Sequence, residues 1–195
     1  PAFPRVLPLR QSATTGFVTI PGQNSQEIAA HSKSIAAFTF GLAYFFQWNF
    51  PAAARALHES LQAEPDQPGS YLAHFYYGVS LQWIGDLETA TEQLETAAAL
   101  LPTDDRDPAA LLALAFGYRS LGNLAEAESR AREVIDLCTA YLNLHPADAF
   151  ALYDRGLAYE VLEDWNSALL DYQSAAESDP QLFVARLNVV RMHLV

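Results

Sequence analysis

The stretch Phe75-Tyr76-Tyr77-Gly78-Val79-Ser80-Leu81-Gln82-Trp83-Ile84-Gly85-Asp86-Leu87, followed by Ala90, Leu94, Ala97 and Pro102, decides the fold. Counted from Gly78, Leu81 follows at 3, Ala90 at 12, Leu94 at 16, Ala97 at 19 and Pro102 at 24. The same intervals from Gly41 land on Tyr44, Ala53, Leu57, Ser60 and Pro65, and from Gly156 on Tyr159, Ala168, Tyr172, Ala175 and Pro180. From Ala115 they land on Tyr118, Ala127, Ala131 and Val134, with the proline seven residues late at Pro146. Four registers that agree in small, large, small, large, small, proline define an internal repeat.

Each unit reads as two helices. Phe38, Phe40, Gly41 and Tyr44 recur at helical spacing, as do Ala53, Leu57 and Leu61 after a break. Turn signals separate the pairs: Asn49-Phe50-Pro51, Gly85-Asp86, Gly122-Asn123 and Glu163-Asp164. Gly41, Gly78, Ala115 and Gly156 are expected where the two helices of a hairpin cross, facing Ala53, Ala90, Ala127 and Ala168. Small side chains there let helix axes approach to about 8–10 Å.

Tyr77-Gly78-Val79-Ser80-Leu81 with Gly85-Asp86-Leu87, and Gly156-Leu157-Ala158-Tyr159 with Asp164-Trp165, resemble the tetratricopeptide repeat, a helix–turn–helix unit of about 34 residues. The third unit departs by having Ala115 for glycine. The resemblance implies an all-α solenoid of four helical hairpins, at about 34–67, 71–104, 108–148 and 149–182. A terminal helix, 183–195, would follow, and the whole array would occupy 24–195. Residues 1–23, rich in proline and without a helical period, read as an extended arm that could cover a groove.

The spacing from Ala115 to Gly156 is 41, seven more than the repeat, and the surplus falls where there is no glycine or proline. Seven residues are close to two turns at about 3.6 per turn, so one long helix over 124–144 is expected, its projecting end carrying Cys138, Tyr141 and Leu144. The first helix is expected near 25–47, with Asn24 as its cap. The terminal segment is apolar all round, which suits either a continuing array or packing against another molecule, the former preferred.

The composition narrows the function. The chain has 195 residues, with 23 acidic against 11 basic, a net charge of −12. Residues 1–58 carry 4 − 1 = +3 and residues 59–195 carry 7 − 22 = −15. Such a balance disfavours nucleic acid, which needs clustered Lys and Arg. The 51% hydrophobic content indicates a packed chain. The single Cys138 excludes an internal disulfide, and the scattered His31, His58, His74, His145 and His193 offer no metal-ligand pair. No cofactor is expected, no apolar stretch spans a membrane, and a cytoplasmic location is the reading. No acid–base or nucleophilic constellation emerges, so the chain does not read as an enzyme.

By the resemblance, residues a turn either side of the small residue face the concave groove. These are Phe38, Leu42, Phe45 and Phe46 in the first unit, and Phe75, Tyr76, Val79 and Trp83 in the second. Leu112, Phe116 and Arg119 follow in the third, and Tyr153 and Leu157 in the fourth. Family members that clamp a terminal carboxylate use Lys, Arg and Asn there; only Arg119 is available. The expectation is a scaffold or assembly factor that holds an apolar peptide or helix of another protein. The alternative is a carrier of a small apolar ligand, a lipid or pigment; self-association through the arm or the terminal helix is a further possibility. Aromatic residues at helical spacing also suit a core, which competes with the groove at Phe45, Phe46 and Trp83.

Overall fold

A computed structural model describes residues 25–64, 70–101 and 107–194. Among them are nine α-helices and no strand: α1 (Ser25–Phe46), α2 (Phe50–Ala63), α3 (Ser70–Ile84), α4 (Leu87–Leu100), α5 (Pro108–Ser120), α6 (Leu124–Leu142), α7 (Ala149–Val161), α8 (Trp165–Ser178) and α9 (Phe183–Met192). The helices group into two compact units that divide between Leu100 and Leu101. In the N-terminal unit α1 packs on α2, α2 on α3 and α3 on α4. In the C-terminal unit the same succession runs from α5 to α9, with α5 also touching α7. The arm, Asn24, Pro65 and Pro102 lie outside the described residues.

One device closes all four hairpins. Seven residues after each small residue, at Trp48, Gly85, Gly122 and Glu163, the backbone turns left-handed, with φ of 62°, 90°, 81° and 61°. The next N–H reaches back to the first helix: Asn49 to the Tyr44 carbonyl, Asp86 to Leu81, Asn123 to Tyr118 and Asp164 to Tyr159, at 2.8–3.1 Å. This is the Schellman closure, which satisfies a carbonyl that the helix end leaves open. The same residue then opens the second helix. Asn49, Asp86 and Asp164 accept from the N–H three residues on, of Ala52, Thr89 and Ser167. A short amide or carboxylate side chain is the type that caps best.

The repeat's small residues receive a large neighbour. A Cβ on Gly41 would lie 2.6 Å from Leu57 Cγ, one on Gly78 2.7 Å from Leu94 Cγ, and one on Gly156 2.7 Å from the Tyr172 ring. The notch is thus filled chiefly by the residue sixteen positions on, while Ala53, Ala90, Ala127 and Ala168 lie buried beside it.

The long helix α6 ends at Leu142, two residues short of the expected end. Its added turns do not project. Cys138 and Leu142 are buried, and the Thr139 hydroxyl accepts from Arg155 on α7. Tyr141 and Leu144 stay exposed. The extension therefore serves as packing surface for α7, because its apolar positions continue the register of Ala127, Ala131 and Val134.

Candidate functional site

The C-terminal ends of α1 and α3 and the turn after α1 carry an aromatic surface in the N-terminal unit. Pro51 and the Asn49 cap start α2 at Phe50, which places that ring beside Trp83 of α3. Phe50 and Trp83 stack with centroids 5.1 Å apart and planes 8° from parallel. Trp48 meets both edge-on, at 5.9 Å and 6.3 Å. Below them Phe45 contacts Phe50, Phe46 and Tyr76 at 5.6, 5.7 and 4.9 Å. Each such pair adds about 0.5–1.5 kcal/mol beyond its buried area.

The layer grades from core to solvent. Phe45 and Tyr76 are buried, Phe50 and Trp83 half-buried, and Phe46 and Trp48 exposed, the indole of Trp48 at 57%. Rings exposed on one face and anchored by the other keep their position without a ligand, so little rotamer freedom is lost on binding.

The expected groove residues separate by burial. Phe46 is exposed; Phe38, Leu42, Trp83, Phe116 and Arg119 are half-buried. Phe45, Phe75, Tyr76, Val79, Leu112, Tyr153 and Leu157 are buried in the free chain and belong to the hairpin cores. Two members of the surface, Trp48 and Phe50, lie at the turn and at the start of the second helix, outside the first-helix positions to which the resemblance points; the aromatic pair flanking Asn49 is their signal in the sequence.

Arg119 has an internal role. Its Nη1 donates to the carbonyls of Val161 at 2.6 Å and Glu160 at 3.3 Å, and its Nη2 to the Glu163 carboxylate at 2.9 Å. A cation there satisfies the open carbonyls at the end of α7 and meets its dipole.

The C-terminal unit carries a connected set of ionic and phenolic contacts between its helices. Arg155 makes two 2.8 Å hydrogen bonds to Asp171, whose side chain is nearly inaccessible. Those bonds hold the guanidinium protonated above its ordinary range, and Cys138 lies within its electrostatic reach. The Tyr172 hydroxyl donates to Glu160 at 2.9 Å, and Arg191 of α9 pairs with the same carboxylate. Burial, then the Glu160 charge, pushes the Tyr172 phenol up; burial, then Asp154, does the same to Tyr153. Among the described residues no group of three or more His, Cys, Asp and Glu could hold a metal, and no helix is long and apolar enough to cross a membrane.

No family model matches the chain. It is 29% identical over 151 residues to a DnaJ protein, P58IPK homolog A of Oryza sativa subsp. japonica, which covers 72% of this chain. The chain spans about a third of the length of the curated relatives it matches. A tetratricopeptide repeat protein of Parabacteroides merdae superposes with a TM-score of 0.52 at 21% identity, covering 83% of this chain and 60% of that one. The protein YrrB, described as a tetratricopeptide protein with an unusual peptide-binding site, superposes with a TM-score of 0.50 at 21% identity, over 80% of this chain and 75% of its own. Together with the fourfold register and the notch-and-cap hairpins, these likenesses settle the architecture: the chain has the tetratricopeptide-repeat fold, an all-α solenoid.

Proposed function

We propose that the chain is a protein-interaction scaffold whose N-terminal unit holds an apolar segment of another protein against Phe46, Trp48, Phe50 and Trp83. Phe38 and Leu42 extend that surface along α1. The observation that carries the proposal is the conformation of Trp48. At the equivalent turn the second and third hairpins use glycine, for which a left-handed backbone costs nothing. A bulky residue there is strained by about 1–2 kcal/mol, and strain retained in an exposed indole points to use rather than to folding. Large aromatic groups exposed together are the usual anchors of a protein interface.

Trp48→Gly separates the two roles. The variant should keep its melting temperature within a few degrees, since lost ring contacts are offset by relief of the turn. Peptides selected from a random library on the intact chain should carry aliphatic and aromatic anchors, and should bind the variant about tenfold more weakly, roughly 1.4 kcal/mol. Unchanged affinity in both Trp48→Gly and Phe46→Ala would remove the aromatic surface from the function.

A further inference from the structure

The segments that build the aromatic surface are free of charge. Residues 38–54 and 75–85 hold no Asp, Glu, Lys, Arg or His. Past Trp83 the first charged residues are Asp86 and Glu88, both exposed. Of the nearby cations, Lys33 is paired with Glu59, and Arg55 stands about 140° round α2 from Phe50. Phe50 and Trp83 stack as one slab, and Trp48 crosses them at 78° and 83°. Aromatic rings set like this suit a proline-rich segment, which has few N–H groups to satisfy and loses little entropy on binding.

Such a segment belongs to this chain. Pro4-Arg5-Val6-Leu7-Pro8-Leu9-Arg10 combines prolines, large apolar residues and two arginines, and residues 1–24 contain no acid. Residues 25–100 carry 2 − 8 = −6, so the charges are complementary. The reach suffices. Residues 11–24 span up to roughly 46 Å at about 3.3 Å each, whereas the 22 residues of α1 cover about 33 Å. An apolar track also joins the two ends of α1. Ile28, Ile35, Leu42 and Phe46 fall within about 40° of one another, the first two and Phe46 exposed. The track begins where residues 1–24 join the helix and ends at the aromatic rings. We infer, on the reading of that surface as the binding site, that residues 4–10 of the same chain occupy it until a partner segment displaces them. Their prolines and leucines meet Trp48 and Trp83, and their arginines meet Asp86 and Glu88.

Tethering makes up for the small area that seven residues bury. A linker long enough to span the distance sets an effective concentration in the millimolar range, on the order of 1 mM. A contact too weak to hold two molecules together therefore holds within one. The same segment from a second copy has to reach that concentration in solution, so the intramolecular contact prevails in dilute protein.

Leu7→Glu combined with Leu9→Glu, made in the full chain, tests the contact. Tryptophan emission should shift to the red and acrylamide quenching should rise, with helical circular dichroism unchanged, and a Trp48→Gly background should reduce both changes. A fluorescent peptide of residues 1–10 should bind this variant at least about tenfold more tightly than the intact chain, whose own segment competes. Arg5→Glu combined with Arg10→Glu should give a smaller gain that high salt removes. Equal peptide binding and equal quenching in variant and intact chain overturn the inference, while library peptides that still need Trp48 leave the binding site standing. Library peptides indifferent to Trp48 and Phe46 remove the site and the inference together. Quenching protection that grows with protein concentration, with a dimer that the leucine variant turns into a monomer, overturns the intramolecular contact in favour of a second copy.

Discussion

At the turn between α1 and α2 a tryptophan takes the left-handed backbone; at the turn between α7 and α8 a glutamate does. Glu163 is drawn back into its own unit by Arg119, which also closes α7. Trp48, exposed like Glu163, packs instead on the stacked Phe50 and Trp83. The same strained position thus carries an ion-paired carboxylate in one unit and an aromatic ring among aromatic rings in the other. The cores differ in the same sense. Between α1 and α2 the buried polar contacts are neutral, Ser60 Oγ donating to the Ser34 carbonyl at 2.9 Å. Between α7 and α8 they are charged, Arg155 against Asp171.

This contrast can be broken most forcefully at Asp171. Asp171→Ala leaves the half-buried Arg155 without its carboxylate and should cost up to about 3 kcal/mol. Urea unfolding followed by the reactivity of Cys138, buried in the same unit, should show the loss, and Trp48 and Trp83 should report a smaller one in the N-terminal unit. Equal losses by the two probes would mean that the units unfold as one.

Next come the notches. Gly78→Ala puts a methyl 2.7 Å from Leu94 Cγ and 3.0 Å from the Ala90 carbonyl, and Gly156→Ala puts one 2.7 Å from the Tyr172 ring. Either should destabilise its own unit by about 1–3 kcal/mol, measured by thermal melts. A neutral result would show that the hairpin can open at no cost.

Alkaline titration sharpens the ionic side. Tyr153 and Tyr172 are held neutral in the fold, their phenols raised above the ordinary 10.0. Their contribution is fully present below about pH 10, where the unfolded phenol titrates, and is lost as pH rises through the folded value. Stability of the C-terminal unit should fall above pH 10, and Tyr172→Phe should flatten the fall while costing about 1 kcal/mol at neutral pH through the lost bond to Glu160. An unchanged slope would mean that Tyr172 does not contribute.

Smallest of all is salt. The Lys33–Glu59 and Arg132–Glu128 pairs are exposed, so raising ionic strength should move stability by less than about 1 kcal/mol in either unit.

The amino-acid order alone determined the hairpins. Notch glycines, turn residues and caps act over a few neighbours, so Gly41, Gly78, Ala115 and Gly156 mark the helix crossings without knowledge of the rest. Even the repeated Asn or Asp that closes one helix and precedes the next, at Asn49, Asp86, Asn123 and Asp164, is a local signal. Only tertiary structure decided which aromatic side chains are core and which are surface. Phe45 and Phe46 are adjacent on one helix, and packing against Phe50 and Tyr76 buries the first while leaving the second in solvent. It likewise turned Arg119 into a helix cap and laid the end of α6 against Arg155, since both depend on carbonyls and hydroxyls supplied by helices distant in the chain. Helical period is a property of neighbours along the backbone; burial is a property of what arrives from elsewhere.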